Sequence, residues 1–277
     1  MHHSTLPLAM LGVQGAAAAC TRAFLQEAAA NYLKAIDLGQ PSLLPLSSSA
    51  TYGENDVTFP ITSNASVFAA PIKVDFSRSL FDTTQCATFT ELTSTQSSHP
   101  YVIHTQIFYD TSTASPSISK IQSVVADTGD WIFNATAYLE WTTYETWSAI
   151  APALLDSRST IKAAGDAYLD QWGNPSHPVP FATYCSRLEG GLYTGAKNLT
   201  SNSCPMGAFP SPLNITNRRY VIDEELGAID IFNDFPFLEA SYPLEKPTPS
   251  SNLFRVEKGG IRYIHENTVC ATKNCGR

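Results

Sequence analysis

The chain has no apolar run approaching the roughly 20 residues that cross a bilayer as a helix, which excludes a helical membrane span. It also lacks G-x-S-x-G, H-E-x-x-H, a Walker loop and the dinucleotide-binding glycine pattern. Nucleophile-elbow hydrolases, zincin proteases and nucleotide enzymes are therefore set aside, because each needs its motif to place a nucleophile, a metal or a phosphate. No cysteine lies in a C-x-x-C or at a zinc-like spacing from histidine, so no metal is called for. Positive charge is in deficit: 17 Lys and Arg stand against 25 Asp and Glu, a net charge of -8. A surface of that sign repels nucleic acid and anionic membranes, and neither is expected as a partner.

What is present points to export. Leu6 to Val13 is a short apolar stretch, followed by Gln14, Gly15 and four alanines before Cys20. This is the form of a signal peptide spanning residues 1–19, although it carries no Lys or Arg. Cys20, Cys86, Cys185, Cys204, Cys270 and Cys275 then make an even count in an exported chain, which predicts three disulfides among fifteen possible pairings. Sequons at Asn64, Asn134, Asn198 and Asn214 suit glycosylation on the secretory route.

The second half echoes the first. "TRAFLQEAAANYLKAI" (Thr21 to Ile36) and "SRSTIKAAGDAYLDQW" (Ser157 to Trp172) share Arg at the second position and Tyr-Leu at the same depth. Their apolar residues recur at helical spacing, and Thr21 and Ser157 are good N-caps. Strand candidates follow in the same order: residues 50–55 parallel 184–191, 85–92 parallel 219–226, 101–110 parallel 227–235, and 119–127 parallel 259–267. A helical region followed by a curved antiparallel sheet, twice over, predicts an α+β architecture of two tandem cone-shaped domains, at 20–150 and 151–277. Thr142 to Asp156 is the expected linker, and each cone has a mouth that could hold a small apolar ligand.

Period-two alternation sorts the candidate site. Arg219, Val221 and Asp223 share one strand face, opposite Tyr220 and Ile222; Ala228, Asp230 and Phe232 share another, opposite Ile229 and Ile231. Tyr263, His265 and Asn267 do the same in the last strand, opposite Ile264. Facing into the cup of the second half, Arg219, Asp230 and His265 would be catalytic, with Asp223, Tyr263 and Phe232 contacting substrate. As half-exposed groups, Arg219 and His265 would be replaceable without loss of fold. Arg187 and Glu189, beside the paired glycines of "RLEGGLYTG", share a face and form a candidate pocket rim. The first half offers His104, Gln106 and Phe108 on one face, whereas "DTGDW" reads as a turn.

Together "ACTRAFLQEAAANYL", "QCATFTEL", "VVADTGDWIFNATAYLEW", "RSTIKAAGDAYLDQW", "CSRLEGGLYTG", "NRRYVIDEELGAIDIF" and "FRVEKGGIRYIHENTVC" resemble a family of secreted fungal proteins catalogued mainly as a domain of unknown function. The repeat unit resembles the cone fold of nuclear transport factor 2 and SnoaL-like cyclases. Within that family, the members with an assigned activity that the chain resembles are hetero-Diels-Alderases of tropolone sesquiterpenoid biosynthesis. The resemblance implies dehydration of a hydroxymethyl tropolone to an o-quinone methide, captured by an alkene of a humulene-type terpene, with no cofactor. Two other readings stand beside it: a secreted non-catalytic binder of a hydrophobic small molecule, and a SnoaL-like isomerase or hydrolase.

Overall fold

The computed structural model describes residues 20–95, 98–112, 115–207, 213–236 and 248–275; the expected signal peptide lies outside them. Helix α1, Arg22–Leu38, opens on Thr21, whose side chain accepts from the Phe24 N–H, and closes on Gly39 in the left-handed conformation. Strands β1 (Leu46–Glu54), β2 (Val57–Thr58), β3 (Phe76–Asp82), β4 (Ala87–Ser94), β5 (Tyr101–Asp110) and β6 (Ser117–Ala126) follow, then helix α2, Ala135–Tyr144. Helix α3, Arg158–Gly173, is capped by Ser157 in the manner of Thr21. Strands β7 (Phe181–Glu189), β8 (Leu192–Tyr193), β9 (Thr216–Asp223), β10 (Ala228–Phe235), β11 (Thr248–Glu257) and β12 (Gly260–Thr268) complete the second half.

The fold is α+β, built on two six-stranded sheets ordered β2-β1-β6-β5-β4-β3 and β8-β7-β12-β11-β10-β9. In each, the first long strand runs parallel to the last, β1 beside β6 and β7 beside β12. The repeat is therefore real, and the first and last strand pairings read from the sequence hold, but its two middle pairings, 85–92 with 219–226 and 101–110 with 227–235, are one strand out. Ala87 starts β4 opposite Asp82, and Ala228 starts β10 opposite Asp223, so β4 corresponds to β10 and β5 to β11. Polar residues obscured β11: Ser250, Ser251 and Asn252 are all buried in it, and they break the apolar pattern by which a strand is recognised. Helix α2 occupies the end of the first half and the start of the expected linker.

The choice of sheet face follows from the helices. Ile161, Ala164 and Tyr168 of α3 lie on Ile222, Ile229, Ile231, Phe254 and Ile264. The contact is close: a Cβ on Gly165 would come within 2.8 Å of Ile231 Cδ1. The face under α3 is thus packed with side chains, and the expected ligand cup of the second half is filled at that point. In the first half, Leu25, Tyr32 and Ile36 of α1 cover Leu92, Ile103, Ile107 and Ile121 in the same way.

The opposite faces of the two sheets meet each other, with Leu80, Phe89 and Val124 against Val221, Phe232 and Leu253. Their contact is reciprocal. Arg22 grips Asp223 through two bonds of 2.8 and 3.0 Å, and Arg158 grips Asp82 through two of 2.9 and 2.6 Å. The Phe81 N–H also donates to Asp223 and the Ile222 N–H to Asp82. The arginines shared by the two helices in sequence thus exchange the same contact between halves, about a pseudo-twofold axis.

The cysteines pair as Cys20–Cys86, Cys185–Cys204 and Cys270–Cys275, with Cα separations of 5.5, 5.3 and 5.7 Å. Among the described residues no helix is long and apolar enough to cross a membrane. Both Asp82 and Asp223 are fully buried, and removing one partner of such a pair strands the other charge. Asp82→Ala and Asp223→Ala should each lower unfolding free energy by about 3 kcal/mol, read from the urea midpoint; the double variant should cost less than twice that if the two locks act as one unit.

Candidate functional site

Buried polar side chains cross the inter-sheet contact as one chain of hydrogen bonds. Gln122 Nε2 donates to Gln106 Oε1 at 2.7 Å, and Gln106 Nε2 donates to Asp230 Oδ2 at 2.5 Å. The Ser251 hydroxyl stands 2.6 Å from Asp230 Oδ1 and 2.7 Å from His104 Nδ1. His104 Nε2 meets the Tyr138 hydroxyl at 3.0 Å, which donates to Glu91 Oε1 at 2.6 Å. His265 closes the chain, 2.6 Å from Glu91 by Nδ1 and 2.7 Å from Glu145 by Nε2. Arg78 supplies a further cation to Glu91 at 2.7 Å.

These contacts order the protons. The single Tyr138 proton goes to Glu91, so the contact between Tyr138 and His104 is made by donation from His104 Nε2. The Ser251 hydroxyl donates to Asp230 Oδ1 and meets His104 at Nδ1. Burial pushes Asp230 up to about 8, against hydrogen bonds from Ser251 and Gln106. Burial lowers His104 despite Glu91, keeping it neutral. Burial opposes charge on His265 too, but Glu145 and Glu91 prevail and push it up to about 9. Burial likewise opposes charge on Glu91, yet His265 and Arg78 hold it well below the usual carboxylate range.

Where this chain reaches Gln122, a cavity of about 450 Å³ opens between the halves. The first half lines it with Thr51, Asn55, Asp56, Lys120 and Gln122, the second with Asn217, Arg219, Phe232 and Asp234. Asp56 gets there through a two-residue hairpin turn, Asn55-Asp56, with both residues at positive φ as a type I′ turn requires. Arg219 pairs with Asp56 through Nη1 at 2.9 Å, while its Nε and Nη2 are buried without an acceptor among the described residues. Burial and then Arg219 lower the Lys120 pKa. Burial raises Asp234, and neighbouring Asp56 adds to it against a hydrogen bond from Asn217. Lys120, and Arg219 with its spare donors, thus face two carboxylates of which Asp234 is pushed toward its neutral acid, an arrangement able to bind an oxyanion and relay a proton.

The predicted residues separate. Arg219 and Phe232 line the cavity; Asp230 and His265 belong to the buried chain; Asp223 is half of the lock with Arg22. Tyr263 stacks on Trp147 with ring centroids 5.8 Å apart. They do share the face expected, but it is the face turned from α3, because the helix takes the isoleucine side. Arg187 and Glu189 join neither group: they pair at 3.0 Å, near Glu266, which burial and Glu189 push up to about 7. Their paired glycines form the Gly190-Gly191 turn of β7 and β8, where a Cβ on Gly190 would strike Trp131 O at 2.5 Å. Asp127 and Asp130 of "DTGDW" do more than turn, since both hold Lys273. All four sequon asparagines are exposed. Asp56, Lys120, Asp234, Glu91 and Tyr138 escaped sequence reading; Asn55-Asp56 as a hairpin turn and Glu91 inside an apolar strand were the available signals.

His265 is fully buried between two carboxylates, so the expectation that it can be replaced freely is corrected: His265→Ala should cost about 3 to 5 kcal/mol. Folding raises its pKa from 6.5 to about 9, so its stabilisation is complete below pH 6.5 and is lost as pH rises through 9. Asp230, raised from 3.8 to about 8, acts with the same sign. The urea midpoint should therefore fall between pH 7 and 10, and His265→Gln should flatten that fall.

Residues 155–268 match a family described as a domain of unknown function (DUF8021), a span running from just before α3 to the end of β12 and so covering one complete repeat. No curated protein matches the chain.

Proposed function

We propose that the inter-repeat cavity hosts a cofactor-independent dehydration of a small, oxygen-rich ring compound, and that the chain is a hetero-Diels-Alderase of secondary metabolism of the kind its sequence resembles. One observation carries the reading: Arg219 offers buried donors without acceptors among the described residues, across from the Asp56 and Asp234 carboxylates. In this reading the tropolone oxygen binds Arg219 and Lys120, and its acidic proton passes to the carboxylate pair. That pair protonates the departing hydroxyl; the C–O bond breaks and its electrons leave with water, while the ring oxygen's electron pair forms the carbonyl and the ring π pair it displaces forms the exocyclic C=C of the o-quinone methide. Hydrogen bonds from Arg219 to the resulting carbonyl draw electron density from the heterodiene, which favours capture by an electron-rich alkene. Phe232, Ile121 and Pro249 supply apolar wall for the terpene, and holding both partners in contact supplies the orientational part of the rate.

Two copies of a helix across a curved sheet support tandem SnoaL or nuclear transport factor 2-like domains, and three disulfides support a secreted location. The mainly polar wall weighs against the non-catalytic binder of a purely hydrophobic molecule.

Incubation of the purified protein with a hydroxymethyl tropolone and humulene should give one dihydropyran stereoisomer in excess. Arg219→Ala and Asp234→Asn should each slow turnover about 100-fold, within the range for loss of an oxyanion donor or a positioned acid. Product ratios equal to those without protein would sink the proposal.

A further inference from the structure

A second cavity, of about 590 Å³, opens at the edge of the first repeat and plays no part in the reaction proposed above. One end holds Glu54, which is 8% exposed. The Val67 N–H donates to its Oε1 at 2.8 Å, and the Tyr52 hydroxyl donates to the same oxygen. Ser66 supports Tyr52 by donating to its hydroxyl at 3.1 Å. Comparison between repeats makes this carboxyl unusual. The hairpin turns align Glu54 with Glu189 and Tyr52 with Arg187. In the second repeat the glutamate has an arginine 3.0 Å away; in the first, tyrosine stands where that arginine would be. Burial raises the Glu54 pKa against its hydrogen bonds, which favours the neutral acid. With Oε1 accepting two bonds, the proton of that acid belongs on Oε2.

The other ionisable groups of the wall bond to one another or to a neighbour. His99 Nε2 lies 2.6 Å from Asp127, and Lys273 bridges Asp127 and Asp130. Tyr101 and His99 stack at 4.5 Å with 18° between their planes, and both line the cavity. Val67, Ile72 and Val125 give it apolar wall. A buried carboxyl with no cation partner among the described residues, an aromatic shelf and charged groups that are already engaged fit a ligand that is uncharged, flat and an acceptor.

We propose that this cavity binds a neutral ring compound bearing a carbonyl, the ring against the shelf of Tyr101 and His99 and the carbonyl oxygen accepting a hydrogen bond from Glu54. The inference is independent of chemistry between the repeats. A suitable probe is 6-propionyl-2-(dimethylamino)naphthalene, a neutral aryl ketone whose emission moves to the blue when it leaves water. Titrated into the full chain, it should show a saturable one-to-one blue shift. Glu54→Ala should weaken binding about tenfold, the loss of one hydrogen bond from a desolvated donor, while Glu54→Gln, which keeps a donor there, should stay within about threefold. Ala70→Trp, at an exposed position of the rim, should abolish binding by filling the cavity. Arg219→Ala should leave the titration unchanged. Absence of saturable binding, unchanged affinity in Glu54→Ala or Ala70→Trp, or loss of affinity in Arg219→Ala would overturn the proposal.

Discussion

Asp82 and Asp223 are each buried completely, and each is held by the arginine that opens the other repeat's helix. A carboxylate without water needs a matched cation and hydrogen bonds, and neither repeat supplies them from its own residues alone. The two sheets are thereby obliged to meet on one face and in one register. That constraint aligns Gln106 with Asp230, His104 with Ser251 and Glu91 with His265. It also defines the cavity, whose walls come from β1, β2, β6, β9, β10 and β11 and which has no existence within a single repeat.

The duplicated frame carries unlike chemistry. With Ala87 and Ala228 equivalent, Phe89 corresponds to Asp230 and Glu91 to Phe232, so acid and aromatic exchange places between the copies. His104 then corresponds to Ser251, and Gln122 to His265. Neither histidine has a histidine counterpart. The ends of the contact have stayed symmetric because they lock the halves, whereas its middle has diverged into a chain running from Gln122 at the cavity to Glu91. The pair Tyr52 and Glu54 against Arg187 and Glu189 shows the same divergence on the faces beneath the helices.

Both helices, their caps and their order were legible because each depends on contacts within a few residues. Thr21 and Ser157 cap as their sequence position implies, and the apolar spacing of Leu25, Tyr32 and Ile36 marks a buried stripe. Strand alternation was legible too: Asp230, Phe232, His265 and Asn267 do share a side. Strand β11 was not, because its buried polar residues are satisfied only by groups distant in sequence, such as Thr268 for Ser250 and Asn233 for Asn252.

The sequence by itself determined which side chains share a strand face, where the helices begin, that the pattern occurs twice and that the cysteines can pair. Local backbone geometry and periodicity suffice for all of these. Only the tertiary structure decided which face the helix covers and which the other sheet covers. That choice turns on whether the buried polar groups find partners, and every partner of Asp230 and His265 lies outside its own strand, several of them in the other repeat. The fate of the second half's polar face was therefore settled by residues more than a hundred positions away.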